Sequence, residues 1–200
     1  MSRALKSELL HDGMRVGLYG GSFDPVHRAH RHVARTALKR LNLDRIWWMV
    51  SPGNPLKTHA PASLDDRVAA VAQTMPEPRH VISTLEARLH TRTTIDLITH
   101  LQTRYPRVHF VWIMGADGLK DFHRWKNWRA IARRIPICVI ARPGDAIKAR
   151  LSPAARVLAP SRQCDRRAKT LALGKPPGWT YLTEPLHPEA SRVMRAKTSS

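Results

Sequence analysis

Short unbroken apolar runs alternate along this chain with stretches in which apolar residues recur every three or four positions, a pattern of strands followed by helices. Met14 to Tyr19 predicts a first strand that ends at Gly20-Gly21. Arg28 to Leu41 places Val33, Ala34, Ala37, Leu38 and Leu41 at helical spacing. Asp44 to Val50 predicts a second strand, closed by Ser51-Pro52-Gly53-Asn54-Pro55, a loop by composition. Leu64 to Gln73 predicts a helix with Ser63 as its N-cap and Asp65 and Asp66 in its first turn. Val81 to Thr84 is a short strand, and Thr94 to Tyr105 a helix carrying Ile95, Leu97, Ile98 and Leu101.

Val108 to Met114 reads as a buried strand ending at Gly115-Ala116-Asp117. Trp125 to Arg134 predicts another helix, and Ile135 to Ala141 another strand, stopped by Arg142-Pro143-Gly144. Residues 145–180 are rich in Pro, Arg and Ala and carry little pattern. Trp179 to Leu182 reads as a last strand, and Pro188 to Lys197 as a terminal helix with proline in its first turn. The repeated strand–helix order predicts an α/β fold, a mostly parallel sheet with helices on both faces.

Composition limits the alternatives. The 200 residues, 42% of them apolar, suffice for one core, so residues 14–200 are read as a single domain behind an N-terminal extension, 1–13. No run approaches the ~20 apolar residues that span a bilayer. The first thirteen residues carry charges and lack an apolar segment, so they do not read as a secretory signal. Cys138 and Cys164 have no metal-ligand spacing, and Cys138 sits in a strand-like run; a reduced, cytoplasmic setting follows as an expectation. The formal net charge of +19 predicts attraction to polyanions. The arginines are scattered, however, with Arg162 to Lys169 the one basic cluster, so a dedicated nucleic-acid partner is disfavoured.

The densest chemistry lies in Gly20-Gly21-Ser22-Phe23-Asp24-Pro25-Val26-His27-Arg28-Ala29-His30. A strand runs through a glycine pair and a turn into a helix whose first amides lack partners, an arrangement suited to phosphate. His27 and His30, three apart, are expected on one face of the first turn, both able to donate to one phosphate chain. Competing readings are a glycine pair without function, exposed helix histidines, and a metal site formed by His27, His30 and His32.

That string resembles the signature of the nucleotidyltransferase superfamily, Gly-x-Phe-Asp-Pro-x-His-x-Gly-His, present in related form in class I aminoacyl-tRNA synthetases. It matches at Gly21, Phe23, Asp24, Pro25, His27 and His30, with Ala29 in place of a glycine. Three further segments resemble bacterial nicotinate-nucleotide adenylyltransferases: Ser51 to Lys57 with its Asn-Pro-x-Lys ending, Thr93-Thr94-Ile95-Asp96, and Gly115-Ala116-Asp117 followed by Phe122, Trp125 and Trp128. Thr93 stands where that family usually has tyrosine. The family's C-terminal Ser-Ser-Thr-x-Ile-Arg is matched only at Ser191 and Arg195, with Ala190 and Arg192 departing from it.

The resemblance, which covers roughly residues 15 to 197, implies a Rossmann-like nucleotidyltransferase fold ending in a phosphate-binding helix. It implies adenylyl transfer from ATP to nicotinate mononucleotide, with Mg2+ carried by ATP and no metal held by the protein. His27 and His30 become the catalytic pair. Gly20, Gly21, Ser22, Phe23, Asp117, Ser191 and Arg195 fall on the ATP side; Lys57, Thr93, Thr94 and Trp125 fall on the mononucleotide side. Plainer readings stand beside these: Asp117 as a helix cap, Lys57 as a solvated charge and Trp128 as core. ATP and nicotinate mononucleotide are the implied partners, with a homodimer allowed and no membrane. Rival functions are an adenylyltransferase acting on nicotinamide mononucleotide or phosphopantetheine, and a basic nucleic-acid-binding protein with a degenerate fold.

Overall fold

Seven strands form one sheet: β1 (Arg15–Gly21), β2 (Arg45–Val50), β3 (His80–Ser83), β4 (His109–Gly115), β5 (Ile137–Ala141), β6 (Arg162–Gln163) and β7 (Trp179–Thr183). Their order is β3-β2-β1-β4-β5-β7-β6, and every neighbouring pair is parallel. The computed structural model describes residues 9–53, 62–91, 93–141 and 149–183. Lys57, the Arg142-Pro143-Gly144 stop, and the terminal helix with Ser191 and Arg195 lie outside the described residues.

The helices are α1 (Arg28–Arg40), α2 (Leu64–Thr74), α3 (Leu85–Arg88), α4 (Thr94–Arg104), α5 (Ala116–Asp121), α6 (Trp128–Arg134) and α7 (Pro153–Val157). On one face of the sheet, Tyr19, Trp48 and Ile113 meet Val33 and Ala37 of α1 and Val71 of α2. On the other, Leu18, Trp47 and Trp112 meet Leu97 and Leu101 of α4 and Ile131 of α6. Helices therefore cover both faces, as expected. A parallel strand covered on both sides has no polar face to alternate. That is why Ile46-Trp47-Trp48-Met49-Val50 is one apolar run, and all five residues are buried.

The expected Ser63 cap is present, and Thr93, not read as a cap from the sequence, supplies another. The Ser63 hydroxyl accepts from the Asp66 amide at 3.1 Å, and the Thr93 hydroxyl caps α4 by accepting from the Asp96 amide. Several boundaries differ. Ile135 ends α6 and the next residue is proline, so β5 begins at Ile137 rather than Ile135. The short helices α3 and α5 carry too few turns to show a period, and Gly118 further masks α5. In 149–183, a nine-residue 3-10 segment, Asp165–Leu173, turns Ala168 and Leu171 into the α1 side of the core. Its three-residue repeat has no counterpart in the 3.6 pattern. Residues 9–13 fold back on the domain: the Gly13 amide donates to the Arg107 carbonyl at 2.8 Å, and Leu10 packs on the core.

Two glycines of β1 are there for packing. A Cβ on Gly17 would lie 2.4 Å from the Ile113 side chain, and one on Gly20 would lie 2.6 Å from the Trp112 indole. Gly20 is thus the gap into which the Trp112 ring of the next strand fits. Gly20→Ala is expected to destabilise the fold by roughly 1–3 kcal/mol, because the ring is buried and cannot swing away. Denaturant unfolding of wild type and variant measures this, and an unchanged midpoint with unchanged slope contradicts it.

Candidate active site

The chain builds β1, β2 and β3 outward in one direction, then returns to lay β4 on the other side of β1. Connections leaving β1 and β4 diverge at this reversal and open a crevice beyond the carboxyl ends of the two strands, where open α/β sheets bind ligands. Gly21 ends β1 and Gly115 ends β4, so two side-chain-free positions line up at the mouth.

The turn leaving β1 is anchored by Phe23, whose φ of +48° is left-handed and unusual for a bulky residue. Its buried ring compensates, packing at centroid distances of 5.3 Å from Tyr19, 5.0 Å from Trp48 and 5.3 Å from His30. A Cβ on Gly21 would sit 3.1 Å from that ring. Phe23 is thus a wedge that shapes the turn. Behind it, the Trp48 indole N–H donates to His80 Nδ1 at 3.1 Å, and burial holds His80 below its ordinary pKa, so the imidazole stays a neutral acceptor.

His27 and His30 do come together, but not as two members of the first turn. His27 is the N-cap, with extended backbone, and His30 is the third residue of α1. Their rings stack at 3.9 Å with 29° between planes. The His27 amide donates to His30 Nδ1 at 3.2 Å. With Nδ1 accepting, the neutral His30 ring carries its proton on Nε2 and presents a donor there. Ser22 follows Gly21 on the same turn. Among the described residues no three His, Cys, Asp or Glu side chains gather to hold a metal, so the alternative grouping of His27, His30 and His32 has no support from geometry.

Across the crevice, Asp117 is exposed in the first turn of α5. It is not the cap of that helix; Gly115 is. The Asp117 carboxylate folds back over the strand end, where a Cβ on Gly115 would meet its Oδ1 at 2.3 Å. Trp125 lies outside the helix predicted for it. It follows a 3-10 turn, Phe122–Arg124, in extended conformation, and Asn127 at φ +56° starts α6 three residues later than expected. The cause is side-chain packing: the Trp125 indole stands edge-on to Trp112 (6.0 Å, 88°) and to Phe122 (5.3 Å, 79°). Half-buried, it packs against the edge of the core that Trp128 enters. Thr94 opens α4; the Thr93 hydroxyl beside it is committed to the cap and to the Asp96 carboxylate.

Two groups at this site were given no role from sequence, although Asp24 is part of the signature. Asp24 accepts from the Ala62 amide at 3.1 Å, tying the turn after β1 to the start of α2. Arg67 of α2 is 3% exposed and donates to main-chain carbonyls of Ser22, Ser51, Pro52 and Ala62. The signal for it was present: Leu64, Arg67, Val71 and Met75 follow the apolar spacing of α2, so a charge occupies its buried stripe.

These features place the molecule among α/β proteins that bind a nucleotide at a strand-order reversal. The chain belongs to the cytidylyltransferase-like family, whose model matches residues 18–193. Within it, the chain is 49% identical to a protein of Roseobacter denitrificans and 50% identical to one of Ruegeria pomeroyi, both named "probable nicotinate-nucleotide adenylyltransferase". Each comparison covers 92% of this chain, and 93% and 86% of the respective relatives. Among solved structures, it resembles the Plasmodium falciparum nicotinic acid mononucleotide adenylyltransferase complexed with NaAD. The TM-score is 0.66 at 18% identity over 87% of this chain and 77% of that one, a likeness of fold.

At the same end of the sheet, α3 follows β3 and carries Glu86, whose burial pushes its carboxyl up to about 7 from an ordinary 4.5. A carboxyl harder to ionise folded than unfolded leaves stability intact below pH 4.5 and removes it as pH rises through 7. Glu86→Gln is therefore expected to match wild type at low pH and to be more stable by up to about 3 kcal/mol above pH ~8. Urea unfolding at both pH values checks this; a pH-independent difference contradicts it.

Proposed function

We propose that the protein transfers the adenylyl group of ATP to nicotinate mononucleotide, forming nicotinate adenine dinucleotide and pyrophosphate in NAD biosynthesis. The observation that carries this reading is the stacked His27–His30 pair on the phosphate-facing end of α1, at the β1/β4 reversal. The names of relatives at about half identity over 92% of the chain support the choice of acceptor.

In the reaction, a 5′-phosphate oxygen of the mononucleotide attacks the α-phosphorus of ATP in line. The bond from that phosphorus to the bridging oxygen breaks, and pyrophosphate leaves with the electron pair. No proton needs to be removed from an ionised phosphate nucleophile, so the protein's task is positioning and charge stabilisation. His30, its Nδ1 occupied, donates through Nε2 to the phosphate chain, and His27 stacks on it to hold the ring edge-on to the ligand. Gly20, Gly21, Ser22 and Phe23 shape the turn around the triphosphate, and Asp117 accepts from ribose hydroxyls. Thr94 and Thr93 border the mononucleotide, and Trp125 offers a flat face to its pyridine ring. Lys57, Ser191 and Arg195 lie outside the described residues; the family resemblance assigns them to the substrates' phosphates. Mg2+ carried by ATP would offset phosphate charge, and among the described residues no three His, Cys, Asp or Glu side chains gather to hold it. Neither cysteine is in a disulfide, which supports a cytoplasmic setting.

His30→Ala is expected to lower turnover by roughly a hundredfold or more with the fold intact. Pyrophosphate release by the purified variant measures it, and activity within about tenfold of wild type removes the role. Trp125→Ala should raise KM for the mononucleotide more than KM for ATP; equal effects on both remove the stacking assignment. Running the same assay with nicotinate and nicotinamide mononucleotides tests the acceptor, and a preference for the amide overturns that part of the proposal.

A further inference from the structure

The geometry points to Arg67 as a positioning residue: its buried guanidinium fixes the spacing between the turn after β1 and the turn after β2, and so aligns the two substrates for adenylyl transfer. The inference rests on the function proposed above. Arg67 Nη1 donates to the Ser22 carbonyl at 2.9 Å and the Ser51 carbonyl at 2.7 Å. Nη2 donates to the Pro52 carbonyl at 3.3 Å, and Nε to the Ala62 carbonyl at 2.9 Å. One side chain thus joins three segments that are distant in sequence. Ser22 belongs to the turn assigned to the triphosphate, while Ser51 and Pro52 begin the loop assigned to the mononucleotide side.

All four acceptors are main-chain carbonyls, none a carboxylate. Burying a guanidinium this deeply is costly unless its donors are satisfied, and here four of its five N–H groups donate to carbonyls of three chain segments. An apolar side chain there would leave the four carbonyls without these donors, so what Arg67 supplies is the tie between the segments. Asp24, holding the Ala62 amide, closes the same junction from the other side.

Arg67→Lys and Arg67→Met are to be compared with wild type by amide hydrogen exchange, ATP binding without acceptor, and kinetics with ATP and nicotinate mononucleotide. Exchange should accelerate across Gly21 to Asp24 and Ser51 to Gly53 while β4 and β5 stay protected. ATP affinity should change by less than about threefold, but kcat should fall roughly thirtyfold in the Met variant, since alignment and not occupancy is lost. The Lys variant should lose about tenfold or more, because an ammonium keeps the charge but cannot span three segments. A Lys variant indistinguishable from wild type overturns the inference, as does a stability loss with kcat per folded molecule within about threefold of wild type. Unchanged exchange in both turns also overturns it. A wild-type protein that turns over neither mononucleotide sinks the adenylyl-transfer reading instead, and the exchange comparison still decides whether Arg67 joins the turns.

Discussion

A parallel sheet leaves its strands' carboxyl ends unoccupied, and where the strand order reverses the departing connections part, so a crevice opens there by geometry alone. In this protein that place is the β1/β4 boundary, bordered by Gly21 and Gly115 at the strand ends, by His27 and His30 at the start of α1 and by Asp117 in the first turn of α5. The surrounding sheet makes the crevice rigid. Trp47, Trp48 and Trp112 are fully buried on its two faces, and the absence of side chains at Gly17 and Gly20 lets β1 sit between them.

Rigidity alone would not hold the loops, which carry few apolar contacts of their own. The turn after β1 is held by three different means: the Phe23 ring inserted among Tyr19, Trp48 and His30, the Asp24 carboxylate on the Ala62 amide, and the Arg67 guanidinium on the Ser22 carbonyl. Each satisfies a different demand, namely apolar burial, an orphan amide at a helix start, and carbonyls with no ladder partner. The same turn delivers His27 and His30 as a stacked pair. A main-chain amide on His30 Nδ1 settles which nitrogen is the donor, so the site's electrostatics follow from backbone placement.

The charge of the whole molecule acts at longer range. With +19 spread over scattered arginines, the protein draws anionic nucleotides toward it. Arg67 is buried and donates to four main-chain carbonyls; Arg35, Arg107 and Arg124 form ion pairs with Glu77, Asp12 and Asp121 at exposed positions, where such pairs contribute little.

Strand–helix alternation, the Ser63 cap, and the turn-and-histidine string are properties of neighbours within a few residues, and the sequence alone was enough to read them. The same holds for the apolar run of β2, whose lack of alternation announces burial on both faces. Other features depend on partners far apart in the chain. Trp125 leaves its expected helix because Trp112 and Phe122 hold its indole, α6 starts late for the same reason, and β7 lies between β5 and β6, an order no local pattern encodes. Arg67 shows the division most clearly. Its place on an apolar stripe was visible in the sequence, but what it satisfies there is the set of carbonyls from three separate segments. Hydrogen-bond demand of that kind exists only once the chain has brought those segments together.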